Sequence, residues 1–251
     1  MVIHFIGISV AAIADDFRVV YSQIKVGQRL SDEFVLSYFG YKIINEPMAW
    51  SIWKVKDKIE IPEVNSFNLL VDIENAVGGD EYLYSLDENG NKIDSIHLTK
   101  FAHWDGGFNR ATSYLRCAKN IFLITNSNID YFGGGVIGDL DTHTYSLGMN
   151  GKIVQDDNLI CKKYRKYSEL SKFKLTTDAL VDKSSEDIRV MRNEIFAEHG
   201  YIFSDSKLSS YFKRMDWYVP KSKNVSGSLS DIEKKNIEIL LEYEQKIKIN
   251  K

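Results

Sequence analysis

The sequence has little of what marks several protein classes. Two of its 251 residues are cysteine and three are proline. No Cys-x-x-C pair exists, so a zinc ribbon or a thioredoxin-type site is excluded. No apolar run reaches the roughly 18–20 residues that a membrane-spanning helix needs. Neither charge dominates: 32 Lys and Arg face 35 Asp and Glu, a net charge of −3. A chain so balanced lacks the basic field expected of a nucleic-acid binder. His-Glu-x-x-His, Gly-x-Ser-x-Gly and a phosphate loop are all missing, which removes the commonest hydrolase and nucleotide-binding signatures.

What is present is apolar mass. Hydrophobic residues make up 44% and aromatics 12%, enough for packed structure rather than long disorder. Charge shifts along the chain. Residues 1–161 carry a net charge of about −8, residues 162–174 about +5, and residues 175–251 none. The shift predicts a domain over 15–161, a basic linker over 162–174 and a second domain over 175–251.

The first fourteen residues read as a signal peptide, with a start placed too late to include its basic residues. Val2–Val10 is mostly apolar, and Ala12-Ile13-Ala14 precedes Asp15-Asp16, the small-residue cleavage pattern before a charged mature end. The alternative is a buried first strand. In an oxidising compartment Cys117 and Cys161 could form one disulfide, and two separately buried thiols are the equal alternative.

The spacing of Phe17, Val20, Tyr21 and Ile24 predicts a helix, and Ser31 opens a second with Phe34, Val35, Tyr38 and Phe39 inward and Gly40 as its stop. The period then falls to two. Strands are predicted at 51–55, 68–73 and 120–125. Hairpins flank Asp87-Glu88-Asn89-Gly90 and Gly148-Met149-Asn150-Gly151. Polar loops are expected at 74–80, 102–112 and 126–141. The last domain reads as helical, with a cap at Ser185-Glu186-Asp187, another at Asp205, and the capping box Ser230-x-x-Glu233. The last helix is expected to bury Ile232, Asn236, Ile239, Leu240 and Tyr243. The fold class is therefore α+β: two short helices and an antiparallel sheet, then a small all-α domain.

Phe196-Ala197-Glu198-His199-Gly200 within Arg192–Phe203, followed by Tyr211-Phe212, Trp217-Tyr218 and Leu229-Ser230-x-x-Glu233-x-x-Asn236-Ile237, resembles the YARHG domain over about 175–245. At Glu198 the family's arginine is replaced by an acid. The resemblance implies a bacterial, exported protein and no particular activity. Physical chemistry gives the motif structural work. His199 and Gly200 suit a helix end, where the imidazole meets a free carbonyl. Asn193 and Asn236 suit amide ties between backbone segments. Tyr201, Trp217 and Tyr218 are the candidate ligand-stacking surface.

Three further clusters carry side chains capable of chemistry. Asp139-x-Asp141-x-His143 places three metal-capable side chains on one side of an extended chain. Asp87-x-Asn89-Gly90-Asn91 faintly resembles a calcium loop, and turn chemistry explains it better. His97, His103, Trp104 and Asp105 offer an acid–base pair without a nucleophile. The leading expectation is an exported cell-envelope protein, periplasmic or extracellular and non-catalytic, that binds an envelope component or a protein partner. No cofactor, no nucleic acid and no transmembrane segment in the mature chain are expected. The alternative is an envelope hydrolase with its site in the sheet domain, where Asp139, Asp141 and His143, or His97 to Asp105, would carry a metal or act as acid and base.

Overall fold

The computed structural model describes residues 17–41, 51–61, 66–75, 78–102, 108–130 and 133–249, with the side chains of 101–102, 108–111 and 248–249 outside that description. The segment 1–14, expected to be a signal peptide, lies outside the described residues, as do His103, Trp104 and Asp105. The class is mixed α+β. The chain forms two compact units, one of residues 1–103 and 146–154, the other of 104–145 and 155–251.

In the first unit, helix α1 (Phe17–Gln23) is followed by the short helix α2 (Asp32–Phe34), which continues as a π-helical turn over Val35–Phe39. The Ser31 hydroxyl caps α2 by accepting from the Phe34 N–H. Gly40 closes the turn in the left-handed region at φ 78°. Strands β1 (Ser51–Lys58), β2 (Phe67–Asn75), β3 (Gly78–Leu86) and β4 (Lys92–Ala102) form an antiparallel meander. One face carries Trp53, Val55, Leu69, Val71, Ile73, Tyr84 and Leu86 in alternation, and both helices bury Phe17, Tyr21, Phe34 and Phe39 in the same core. Phe39 stacks on Tyr84 at 4.0 Å between centroids. The β3–β4 turn is held by Asp87, whose carboxylate accepts from the Asn89 and Asn91 backbone N–H groups and the Asn91 amide. That is the Asx turn expected there. The hairpin over 148–151 also belongs to this unit, and the Ile153 N–H donates to Asp94 at 3.0 Å.

The second unit contains β5 (Phe108–Ala118), β6 (Ile121–Asp130) and most of β7 (Val136–Leu147), neighbours in that order. These strands extend into the ranges 102–112 and 126–141 that read as loops. Likewise 74–80 is chiefly the ends of β2 and β3. After the short β8 (Ile153–Gln155), the chain runs through a 3-10 turn at Ser168–Ser171 to the two-residue β9 (Lys174–Leu175), parallel to β7. Helices α3 (Ser185–Glu198), α4 (Ser206–Phe212) and α5 (Asp231–Ile249) follow.

The cap of α3 is Ser184, in a reciprocal box with Asp187, one residue before the expected position. Asp205 caps α4 as expected. Ile129, Ile137 and Leu140 from β6 and β7 share a core with Tyr167, Leu170, Ile188, Met191, Ile195, Ile237 and Leu240. On α5, Ile232 is exposed and Glu233 takes the inward position. The exchange is confined to that turn, because Glu233 finds polar partners inside; Asn236 and Leu240 are buried as expected, and Ile239 and Tyr243 pack partly buried.

The disulfide Cys117–Cys161 joins β5 to the segment leading into these helices, with the Cα atoms 5.3 Å apart. This resolves the two readings of the cysteines in favour of one bridge.

Candidate functional site

The segment after Cys161 is braced by buried polar groups. Gly200 ends α3 at φ 79°, and an added Cβ would lie 2.6 Å from the Val219 carbonyl oxygen. Only glycine meets both demands. His199, at the C-cap, turns its Nε2 to both oxygens of Glu233 at 3.0 Å. The expected backbone carbonyl partner is replaced by a carboxylate. Glu233 also completes the predicted capping box with Ser230 and accepts from the Ser171 hydroxyl at 2.7 Å. Ser171 in turn accepts from Arg165 Nη1 at 2.8 Å. Burial opposes ionisation of Glu233, but the Ser230 N–H, Ser171 and His199 hold its carboxyl below the usual range. Glu198, where the family has arginine, sits 3.8 Å from Arg165 Nε.

Asn236 is fully buried and makes three bonds to one strap of backbone. Its Nδ2 donates to the Leu170 and Phe173 carbonyls at 2.8 Å each, and its Oδ1 accepts from the Leu175 N–H at 2.7 Å. It ties α5 to the segment 170–175. Asn193 instead donates to Arg189 within its own helix. Glu194, 1% exposed, accepts from the Lys166 and Tyr167 N–H groups at 3.1 and 2.9 Å. Burial pushes its carboxyl up to about 7, against the pull of the Arg165 charge and those two amides.

The three candidate stacking residues fall in different places. Tyr218 is 9% exposed, packs on Phe203 and Phe212, and donates its hydroxyl to the Tyr201 carbonyl at 2.7 Å. Trp217 lies edge-on to Phe212. Tyr201 packs on Phe196 and Phe203 and also lines an open cleft of about 280 Å³.

Local structure builds this cleft. Arg192, Asn193 and Phe196 come from α3. The Gly200 turn sends the chain back beside residues 221–222 through the Lys221 N–H to Gly200 O and Ile202 N–H to Ser222 O bonds. That pairing brings Lys223, Asn224 and Ser226 to the opposite wall. A second cavity, of about 320 Å³, is lined by Tyr164, Tyr167, Tyr211 and Met215 with Glu194 and Asp187. Its acids are already engaged, Glu194 with backbone N–H groups and Asp187 with the Tyr167 hydroxyl.

Asp141 and His143 come together, but with Asp157 rather than Asp139. His143 Nε2 lies 2.8 Å from Asp141, and its Nδ1 lies 2.8 Å from Asp157. Lys183 approaches Asp141 at 3.3 Å. Burial works against both carboxylates, yet His143 with Lys183, and Gln155 with His143, hold Asp141 and Asp157 respectively below the usual range. Asp139 is exposed, with Asn128 at 3.4 Å. A metal-binding imidazole presents a free lone pair, whereas here each ring nitrogen faces a carboxylate. Among the described residues no group of three or more His, Cys, Asp or Glu is arranged to hold a metal ion. In the first unit His97 Nε2 is 2.8 Å from Asp80, off the line of a hydrogen bond, with its ring stacked on Tyr82.

Sequence reasoning missed Arg192, Glu194, Lys223 and Asn224. The first two stand inside the motif run on a helix, where nothing in the sequence sets them apart from other charged residues. The other two sit in a polar loop whose position depends on the Gly200 turn.

The second unit thus ends in a small helical domain braced from within by amides and carboxylates. Residues 162–245, a C-terminal segment of the chain, match the family model of the YARHG domain. The match begins thirteen residues before the start that the motifs alone suggested, and takes in the segment bearing Arg165, Tyr167 and Leu170. No curated protein and no solved structure matches the chain. No described helix is long and apolar enough to cross a membrane.

Proposed function

We propose that this is an exported protein of the bacterial cell envelope, and that its YARHG-containing unit is a non-catalytic binding module. The observation that carries the reading is the Cys117–Cys161 disulfide, a bond that persists in oxidising compartments and is rare in the cytosol. The signal-like run ending at Ala14 before Asp15-Asp16 agrees with it. Binding is favoured over catalysis by the state of the ionisable groups. The buried carboxylates of the helical domain are bonded to backbone and capping groups, while an open cleft beside α3 presents aromatic rings, amides and a lysine.

The test is to express the chain from its own start in a bacterial host, fractionate the cells, and alkylate the protein before and after reduction. The expected product is found in the envelope fractions, starts near Asp15, and takes up two alkyl groups only after reduction. A cytoplasmic product with Met1 intact and two free thiols sinks the proposal.

A further inference from the structure

We infer that the cleft between α3 and residues 223–226 is a recognition site for a free carboxylate carried on a short apolar residue, as at the C-terminus of a peptide. The inference rests on the binding-module reading and names the ligand class, but it does not depend on the compartment. Four observations carry it. Lys223 is exposed, and among the described residues no carboxylate lies within ion-pair distance of it. Arg192 lines the same cleft; its Nη2 is taken by Glu244 at 3.0 Å, while its Nε is buried without an acceptor among the described residues. That nitrogen is closed to solvent, so Arg192 contributes its charge to the cleft rather than a free Nε donor. Asn224 has its Oδ1 occupied by Ser226, so its amide N–H₂ group is the part left to donate. Phe196 and Tyr201 supply an apolar wall.

Charge and size narrow the ligand. One cation is unpaired and the other is half-neutralised by Glu244, so the site matches a single negative charge better than a phosphate dianion. At about 280 Å³ it lies below the usual range for drug-sized ligands. One or two small residues fit such a volume. Cationic and amide donors beside aromatic carbon, as line this cleft, are what capture of a terminal carboxylate requires.

The test is an NMR titration of the full chain with N-acetyl-Ala-Ala as the free acid and, separately, as its C-terminal amide. The acid is expected to shift the amide resonances of Tyr201 and of residues 223–226. It is expected to bind at least roughly tenfold more tightly than the amide, the effect of one charged hydrogen bond. Lys223→Gln, a surface change, should weaken the acid to near the level of the amide with the thermal midpoint unchanged. Asn224→Ala should weaken it in the same direction. Equal binding of acid and amide, no shifts up to about 10 mM peptide, or shifts that map away from the cleft would each overturn the inference. Peptide binding by a chain that stays in the cytoplasm would support the cleft and sink export. Export with a silent cleft would do the reverse.

Discussion

In the first unit, the face where α1 and α2 meet β1–β3 is filled by Phe17, Phe34, Phe39, Trp53, Leu69, Val71 and Tyr84. In the YARHG segment the interior includes Glu194, Glu233, Asn193, Asn236 and Arg165 beside its aliphatic residues. Apolar packing is non-directional and tolerates exchange of shape at similar volume. Buried polar groups are directional: each must meet its partner, and an orphan is costly. The first core is thus held by area, whereas the second also has its geometry dictated by hydrogen bonds. In the YARHG segment the strap at 170–175 is set by Asn236, and the cleft beside α3 depends on the Gly200 turn.

Substitutions can break that contrast. The largest effect is expected from Asn236→Leu, which keeps the volume and strands two carbonyls and one N–H in a dry interior. The expected loss is about 5 kcal/mol, read by urea unfolding, with protection of the 170–175 amides in hydrogen exchange lost first. A cost under about 1 kcal/mol would erase the distinction between the cores.

Replacing both Cys117 and Cys161 by Ala should cost about 4 kcal/mol, from the chain entropy of a 44-residue separation. The check is the denaturation midpoint against that of the oxidised parent.

Glu194→Gln sharpens the comparison through pH. The carboxyl titrates near 4.5 when unfolded and near 7 when folded, so between those values the folded state holds the extra proton. Its contribution is fully present below pH 4.5 and is lost as pH rises through 7, about 3 kcal/mol in all. Glu233, Asp141 and Asp157 act oppositely and lower, losing their contribution as pH falls below their ordinary range. The stability difference between wild type and Glu194→Gln should therefore shift against the wild type from pH 5 to pH 8. A pH-independent difference refutes the assignment.

The smallest effect is expected in the first core. Leu69→Met, a swap of similar volume at a fully buried site, should cost under about 1.5 kcal/mol by the same unfolding measurement.

The contrast also explains what could be read from sequence. α1, the Asp87 turn and the 148–151 hairpin follow from apolar period and turn chemistry, and the structure places them where expected. Strand β7 is legible over 142–147, as one arm of that hairpin, but not over 136–141. There the buried residues Ile137 and Leu140 stand three apart, and Gly138, Asp139 and Asp141 read as loop chemistry. Ile232 and Glu233 exchanged places for another reason. Once Ser230, Ser171 and His199 satisfy the carboxylate, it can face inward in place of an isoleucine. Within the candidate site, Gly200 and Asn236 were legible because their chemistry is local or rare. The partners that complete the network lie far along the chain: Arg165 and Glu198, Ser171 and Glu233, Lys166 and Glu194.

The disulfide carries a further consequence, for a chain exposed to proteases. Every peptide bond between residues 117 and 161 lies inside one covalent ring. A protease that clips the 148–151 hairpin turn opens the backbone without releasing either piece. The helical domain stays tethered to β5, and the cut shows on a gel only after a reductant is added.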